Sequence, residues 1–235
     1  MSDHFKQIYA GKADQYEALV SREDYRHNLL PALDGIKPLA GLEVVEFGAG
    51  TGRLTRLLAP LVKSIRAFDN APAMLEVLTG KLASEGITNC IVAAGDNRAL
   101  PAASQSADLA IEGWSFGHFC GWYPNTWREE IGKALEEMYR VVRPGGTAIL
   151  LETLGTGLET PEPPTSELAN LYRWLQAEHG FEHTWIRTDY HFASLDEAIQ
   201  LTRFFFGDEL AGVVQQNNLV VLPECTGIWW WHKPA

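Results

Sequence analysis

Apolar positions change period along this chain. Residues 1–36 follow a helical pattern, with Tyr9, Ala13 and Tyr16 on one face and Leu19, Val20, Leu29 and Leu30 continuing it. Pro38 closes that segment. Beyond it, short apolar runs alternate with longer amphipathic ones. Positions 42–47, 64–69, 89–94, 107–113 and 147–153 read as strands. Positions 53–61, 72–84 and 127–142 read as helices, with Pro72 in a first turn and Pro144-Gly145-Gly146 stopping the last one. Strands alternating with helices at this spacing predict a mostly parallel sheet covered on both faces.

The rhythm breaks after Thr153. The run Thr160-Pro161-Glu162-Pro163-Pro164-Thr165 is a stiff, extended connector. A helix is expected over 166–179, a strand over 183–192, and a helix over 194–206 that opens on the capping-box spacing of Ser194 and Glu197. A last strand is expected over 224–232. The two closing strands suit an antiparallel edge pair. One domain over 1–235 then divides into a helical cap (1–36), a core (37–153), an insertion or lid (154–184) and a closing strand–helix–strand unit (185–235).

Composition narrows the partners. Hydrophobic residues are 46% and charged residues 21% of 235, enough for a sizeable core. The net charge of −11 repels phosphate backbones, so no nucleic-acid partner is expected. There is no apolar run of about 18 residues and no apolar stretch in residues 1–7, so neither membrane nor secretion is expected. Cys90, Cys120 and Cys225 lie far apart. His179 and His183 have no third ligand, so no metal is expected and a reducing cytoplasmic setting fits.

The strongest local signal is Glu46-Phe47-Gly48-Ala49-Gly50-Thr51-Gly52, between a predicted strand and a predicted helix. Glycines let the chain turn sharply, and the helix start offers free N–H donors. The dinucleotide fingerprint G-x-G-x-x-G would need its third glycine at position 53, which is Arg53. Glu46 would also repel a pyrophosphate and suits a cationic ligand instead. A nicotinamide-dependent oxidoreductase is therefore the weaker reading.

This turn resembles motif I of the class I S-adenosylmethionine-dependent methyltransferases, of the small-molecule, methyltransferase-11-like type. The resemblance runs over about residues 9–153. It implies a doubly wound α/β Rossmann-like sheet of seven strands with an antiparallel edge strand and a small helical lid. It also implies S-adenosyl-L-methionine as cofactor. The acid Glu46 would lie near the amino acid moiety, and Gly48, Ala49, Gly50 and Gly52 would pass beneath it. Asp69, 21 positions after Gly48, would take the ribose diol. Asn70 follows it, either as a cofactor contact or as a helix cap. Met74 would pack on the adenine or serve as plain core. In Gly95-Asp96-Asn97-Arg98-Ala99-Leu100-Pro101, similar to the family's G-D-x-x-x-L-P segment, Asp96 would accept from the adenine amine and the Asn97 N–H would contact the ring.

The tip of the fourth strand, at Trp114 and Ser115, would flank the sulfonium methyl. It opens into the aromatic stretch 116–124, which suits a pocket wall. The segment lacks [DN]-P-P-[YFW], which nucleic-acid and protein amide methyltransferases of the family usually carry. With the charge, that points to a small-molecule acceptor. Its expected contacts are Tyr16, Ser115, His118, Trp122, Tyr123 and Tyr172, with His118 as the base if one is needed. The expected function is methyl transfer to an oxygen, nitrogen or carbon by in-line displacement, in a monomer or homodimer. A non-catalytic S-adenosylmethionine-binding protein and a protein or RNA methyltransferase are the alternatives.

Overall fold

A computed structural model describes residues 2–235. The N-terminal segment forms α1 (Ser2–Gly11), α2 (Ala13–Val20) and α3 (Leu29–Ile36). The core follows as β1 (Glu43–Phe47), α4 (Arg53–Leu58), β2 (Ser64–Asp69), α5 (Pro72–Ser84), β3 (Cys90–Ala94) and β4 (Ala107–Gly113). Next come α6 (Gly117–Trp122), α7 (Trp127–Val141), β5 (Val142–Thr156) and α8 (Ser166–Ala177). The chain closes with β6 (Glu182–Arg187), β7 (Tyr190–His191), α9 (Leu195–Phe206), α10 (Asp208–Gln216), β8 (Val221–Leu222) and β9 (Glu224–His232).

Seven strands form one sheet in the order β3-β2-β1-β4-β5-β9-β6. Every pair up to β5 is parallel, whereas β9 runs antiparallel to both β5 and β6. The expected closing antiparallel pair therefore forms the sheet edge, with the reversed strand one position in. The chain reverses its direction of winding between β1 and β4, and ligands of such sheets sit outside the strand ends at that point.

The two-residue period of the strands sorts their side chains onto two faces. Val45, Phe47, Ala110 and Leu150 join α7 and α8 in one apolar cluster. Val44, Leu109, Ile111 and Ile149 join α3, α4 and α5 in the other. Trp229 and Ile228 split the same way on β9. A third, separate cluster ties Leu19 of α2 to Phe192, Ala198, Val214 and Leu222 around α9 and α10. This small module covers the end of the sheet where the glycine turn lies.

Several sequence expectations change. The helical stretch 1–36 is three helices. The break after α2 contains left-handed Asp24 and His27, and the Asp24 carboxylate accepts from the N–H groups of Asn28 and Leu29, starting α3. Residues 117–122 form a helix within the aromatic stretch. The strand expected over 183–192 is interrupted at Thr188-Asp189, giving β6 and the separate β7–β8 pair. The stretch expected as an insertion or lid, 154–184, both covers the sheet and lines the site, where Thr156, Pro164, Thr165, Glu167 and Leu168 belong to the wall. Leu171, Tyr172, Trp174 and Leu175 of α8 are buried against the core, where Trp174 meets Trp127 edge-on and Tyr172 stacks on Trp229. Residues of α1, α2, α6 and α9 add to that wall.

Candidate active site

The glycine turn joins β1 to α4 with Gly48, Gly50 and Gly52 all left-handed, at φ of 63°, 54° and 89°. A side chain at Gly48 would put a Cβ 2.6 Å from the Ser115 Cβ, and one at Gly52 would run into Leu78 of α5. Gly48 thus brings the turn against the β4 tip, and Gly52 brings α4 against α5. The Ala49 N–H donates to the Phe68 carbonyl at 2.9 Å, which holds the turn over β2.

Asp69 ends β2 beneath this turn. Its two carboxylate oxygens accept from the Gly50 and Ala71 N–H groups, both at 2.8 Å. Burial pushes its pKa up, and these backbone donors pull it back. Asn70 beside it is exposed. Met74 is buried at the start of α5. The Asn97 amide reaches toward the Ser115 hydroxyl at 3.4 Å and lies close to Gly48. The turn, Asp69, Asn97 and Ser115 therefore converge, as the sequence implied.

Two acids stand elsewhere. Glu46 is buried on β1 and accepts from the Thr55 hydroxyl at 2.6 Å, so it ties β1 to α4 rather than lining the cavity. Burial pushes its pKa to about 8, which leaves it largely uncharged at neutral pH. Asp96 holds Arg98 through both oxygens, at 2.9 and 2.6 Å, and Arg98 also pairs with Glu130. Its carboxylate is paired with a guanidinium, and 41% of the side chain is exposed.

Trp114 at the β4 tip is left-handed, with its N–H bonded to the Leu151 carbonyl at 2.7 Å. The Arg53 guanidinium lies over its ring, 3.3 Å from the centroid, and pairs with Glu23 at 2.5 Å. Just below, Glu112 accepts from the Ser115 N–H at 3.0 Å and the Ser115 hydroxyl at 2.8 Å. Ser115 is thereby fixed as a brace between β4 and the turn.

From Trp114 a cavity of about 730 Å³ opens under α1, α2 and α9. Phe5, Tyr9, Tyr16, His118, Trp122 and Phe205 supply most of its aromatic wall. Glu23, Glu152 and Glu224 line it as well. Tyr16 and Trp122 are thus among the lining residues. Tyr172 is not: its hydroxyl donates to the Thr153 carbonyl at 2.7 Å inside the core. Tyr123 packs on Phe119 and reaches Arg98, outside the cavity lining.

His118 lines the cavity but is a poor base. Its Nε2 bonds the Tyr9 hydroxyl at 2.7 Å, and its ring stacks on Trp122 with centroids 5.1 Å apart. Burial among these rings lowers its pKa to about 4 and raises that of Tyr9. The direction of this hydrogen bond depends on the histidine tautomer, and with a pKa of about 4 the ring holds a transferred proton weakly.

The buried acids give a pH signature. Burial lifts Glu46 and Glu224 to about 8 and Glu112 to about 7. The folded chain keeps protons that the unfolded chain releases above about pH 4.5. That stability is complete below the unfolded pKa and is lost as pH rises through 7 to 8. His118 acts oppositely, costing stability as pH falls from about 6.5 toward 4. The melting temperature of the ligand-free protein should therefore fall between about pH 6 and pH 9. A melting series at constant ionic strength checks this, and a flat or rising series would remove the three carboxyls as linked groups.

Sequence reasoning did not find Glu23, Glu152 and Glu224. Each sits alone in its sequence context, and only the fold brings them to one cavity.

Residues 44–146 match the family described as a methyltransferase domain. The chain is 26% identical over 147 residues to an uncharacterised methyltransferase of Bacillus velezensis, covering 60% of this chain and 67% of that protein. It is 30% identical over 117 residues to the malonyl-[acyl-carrier protein] O-methyltransferase of Serratia marcescens, covering 50% of this chain and 40% of that protein. The matched stretch thus spans less than half of the second relative. The YcgJ protein of Bacillus subtilis has a similar fold, with a TM-score of 0.60 at 15% identity over 90% of this chain and all of that one.

The site's donors fit the cofactor that such a family uses. The side of Gly50 where a Cβ would stand is open space, and the Asp69 oxygens each retain a lone pair for a vicinal diol. The fold order, the left-handed glycine turn against the β4 tip and the matched segment agree: residues 44–146 carry a methyltransferase domain, set in a methyltransferase-like fold.

Proposed function

We propose that this chain transfers the methyl group of S-adenosylmethionine to a small-molecule acceptor seated in the aromatic cavity. The observation that carries the reading is the cavity itself. It opens at Trp114, beside the glycine turn, and its volume of about 730 Å³ lies within the range of small-molecule sites.

In this reading Asp69 holds the ribose diol, with Asn70 beside it. The backbone of Gly48, Ala49, Gly50 and Gly52 receives the amino acid end, Met74 and Asn97 flank the adenine, and Trp114 divides cofactor from acceptor. The cofactor supplies an activated methyl and a thioether leaving group. The chain's own part is alignment and exclusion of water, which is worth several kcal/mol in a bimolecular displacement. Phe5 and Tyr9 of α1 and Phe205 of α9 form the cover that excludes water. The net charge of −11 supports an acceptor other than nucleic acid, and the same reading has the protein act in the cytoplasm as a monomer or homodimer.

Incubation with methyl-labelled cofactor and a cell extract tests this. Label should appear in the low-mass fraction. Label retained on RNA or protein would contradict the acceptor class. Asp69→Ala should weaken S-adenosylhomocysteine binding by about 1–3 kcal/mol, the scale of hydrogen bonds to a charged group. Titration calorimetry reads the loss, and an unchanged affinity would take Asp69 out of the site.

A further inference from the structure

Two buried acids face the cavity with half of their bonding capacity unused. Glu23 Oε1 accepts from Arg53 at 2.5 Å and from the Thr188 hydroxyl at 3.0 Å. Glu224 Oε1 accepts from the Thr153 hydroxyl at 2.7 Å. Their Oε2 atoms are buried and make no well-formed hydrogen bond, although the Tyr190 hydroxyl stands near the Glu23 carboxyl and the Thr156 hydroxyl near that of Glu224. Glu23's side chain is 1% exposed and Glu224 is 2% exposed. Thr188 links them, since its hydroxyl donates to Glu23 and its N–H donates to the Glu224 carbonyl. A buried acceptor without a well-placed donor is costly, and two in one cavity wall call for a ligand that brings donors.

The charge count says which donors. Among the described residues lining the cavity, Arg53 is the one Lys or Arg, and it serves Glu23. Glu152, Glu167 and Glu224, the other carboxyls of the lining, have no Lys or Arg of their own in that wall. The surrounding ring faces of Tyr9, Tyr16 and Phe205 also favour a cation. An anionic ligand would meet four carboxyls and one guanidinium.

We propose that Glu23 and Glu224 form a subsite for a protonated amine on the methyl acceptor, with its N–H groups meeting the two Oε2 atoms. This rests on the reading of the cavity as the acceptor site. In the empty protein, burial and the neighbouring Glu23 push Glu224 up to about 8. A bound ammonium reverses that balance, so Glu224 releases a proton as the amine arrives.

The test is calorimetric titration with phenethylamine, its neutral counterpart 2-phenylethanol and its anionic counterpart phenylacetate. It is run on the full chain, both free and saturated with S-adenosylhomocysteine. Phenethylamine should bind at least about tenfold more tightly than 2-phenylethanol, as charge-assisted bonds predict, and phenylacetate should be weakest. Phenethylamine binding at neutral pH should release a proton, seen as an enthalpy that differs between two buffers of different ionisation heat. Glu224→Gln keeps an acceptor for Thr153 and should abolish the amine preference while leaving S-adenosylhomocysteine affinity unchanged. Equal binding of amine and alcohol, no saturable amine binding, or a preference that survives Glu224→Gln would overturn the subsite. Failure of S-adenosylhomocysteine to bind would strike the cofactor reading instead, and the titrations of the free chain would still decide the subsite.

Discussion

Gly48→Val should leave no measurable S-adenosylhomocysteine binding in a protein that still folds. Gly48 has a φ of 63°, and a β-branched residue there is strained by about 1–2 kcal/mol from the backbone alone. The side chain then adds a collision. A Cβ at this position stands 2.6 Å from the Ser115 Cβ and 2.7 Å from its hydroxyl oxygen. Ser115 cannot yield freely, because its N–H and hydroxyl are both fixed on the buried Glu112. The turn must move away from the β4 tip, and it carries with it the Gly50 N–H that Asp69 holds. Titration calorimetry reads the loss, and circular dichroism reads the retained fold. The smaller Gly48→Ala should be partly rescued by Ser115→Gly, which deletes the atom it meets. Wild-type affinity in Gly48→Val would show that the turn does not receive the ligand.

The second large effect falls on stability. Trp229→Ala should cost about 3–5 kcal/mol, the range for emptying a large aromatic site from a core. Trp229 is 1% exposed on β9, stacked on Tyr172 of α8 with centroids 4.4 Å apart and facing His183 of β6. Its removal loosens the edge pair and the helix that covers it together. The buried indole N–H has no partner, so deleting it returns part of the loss and places the effect toward the low end. For a chain of this length the melting temperature should drop on the order of 10 °C. Cofactor affinity of the folded fraction should stay unchanged, since β9 lies on the far side of β5 from the glycine turn. A shift of only a degree or two would mean that α8 is held by other contacts.

How much of this was legible in the sequence depends on whether a feature is local. The parallel strands and the glycine turn are written in short stretches, through two-residue alternation and through Gly48, Gly50 and Gly52 at a fixed spacing. Asp69 followed from its distance along the chain because a single β–α–β unit sets that distance. Glu46 could be placed beside the turn, but not its direction. It faces Thr55, nine residues on, and only the packing of α4 on β1 decides that. The pairing of Asp96 with Arg98 depends on packing too, since Glu130, the second acid on Arg98, lies on α7.

The acceptor cavity was the least legible part. Phe5, His118 and Phe205 touch one another across about 200 positions of sequence. Glu23, Thr188 and Glu224 meet over a similar span. No periodicity records contacts of that range. The aromatic stretch 116–124 was recognisable as a wall, yet its histidine was not separable from a base until its burial, which lowers its pKa, was found. Residues 154–184 looked like an insertion because the connector before α8 is proline-rich. The buried face of α8, with Leu171, Tyr172, Trp174 and Leu175, layers over the sheet, while Pro164, Thr165, Glu167 and Leu168 at its start line the cavity.

The central claim is that the glycine turn and Asp69 hold an adenosyl cofactor beside the aromatic acceptor cavity. Titration of the purified chain with S-adenosylhomocysteine, with NADH as the comparison ligand, tests it most directly. The account predicts saturable binding of S-adenosylhomocysteine at one site per chain and none of NADH. Binding of NADH alone, or of neither ligand to protein shown by mass spectrometry to carry no co-purified cofactor, would contradict it.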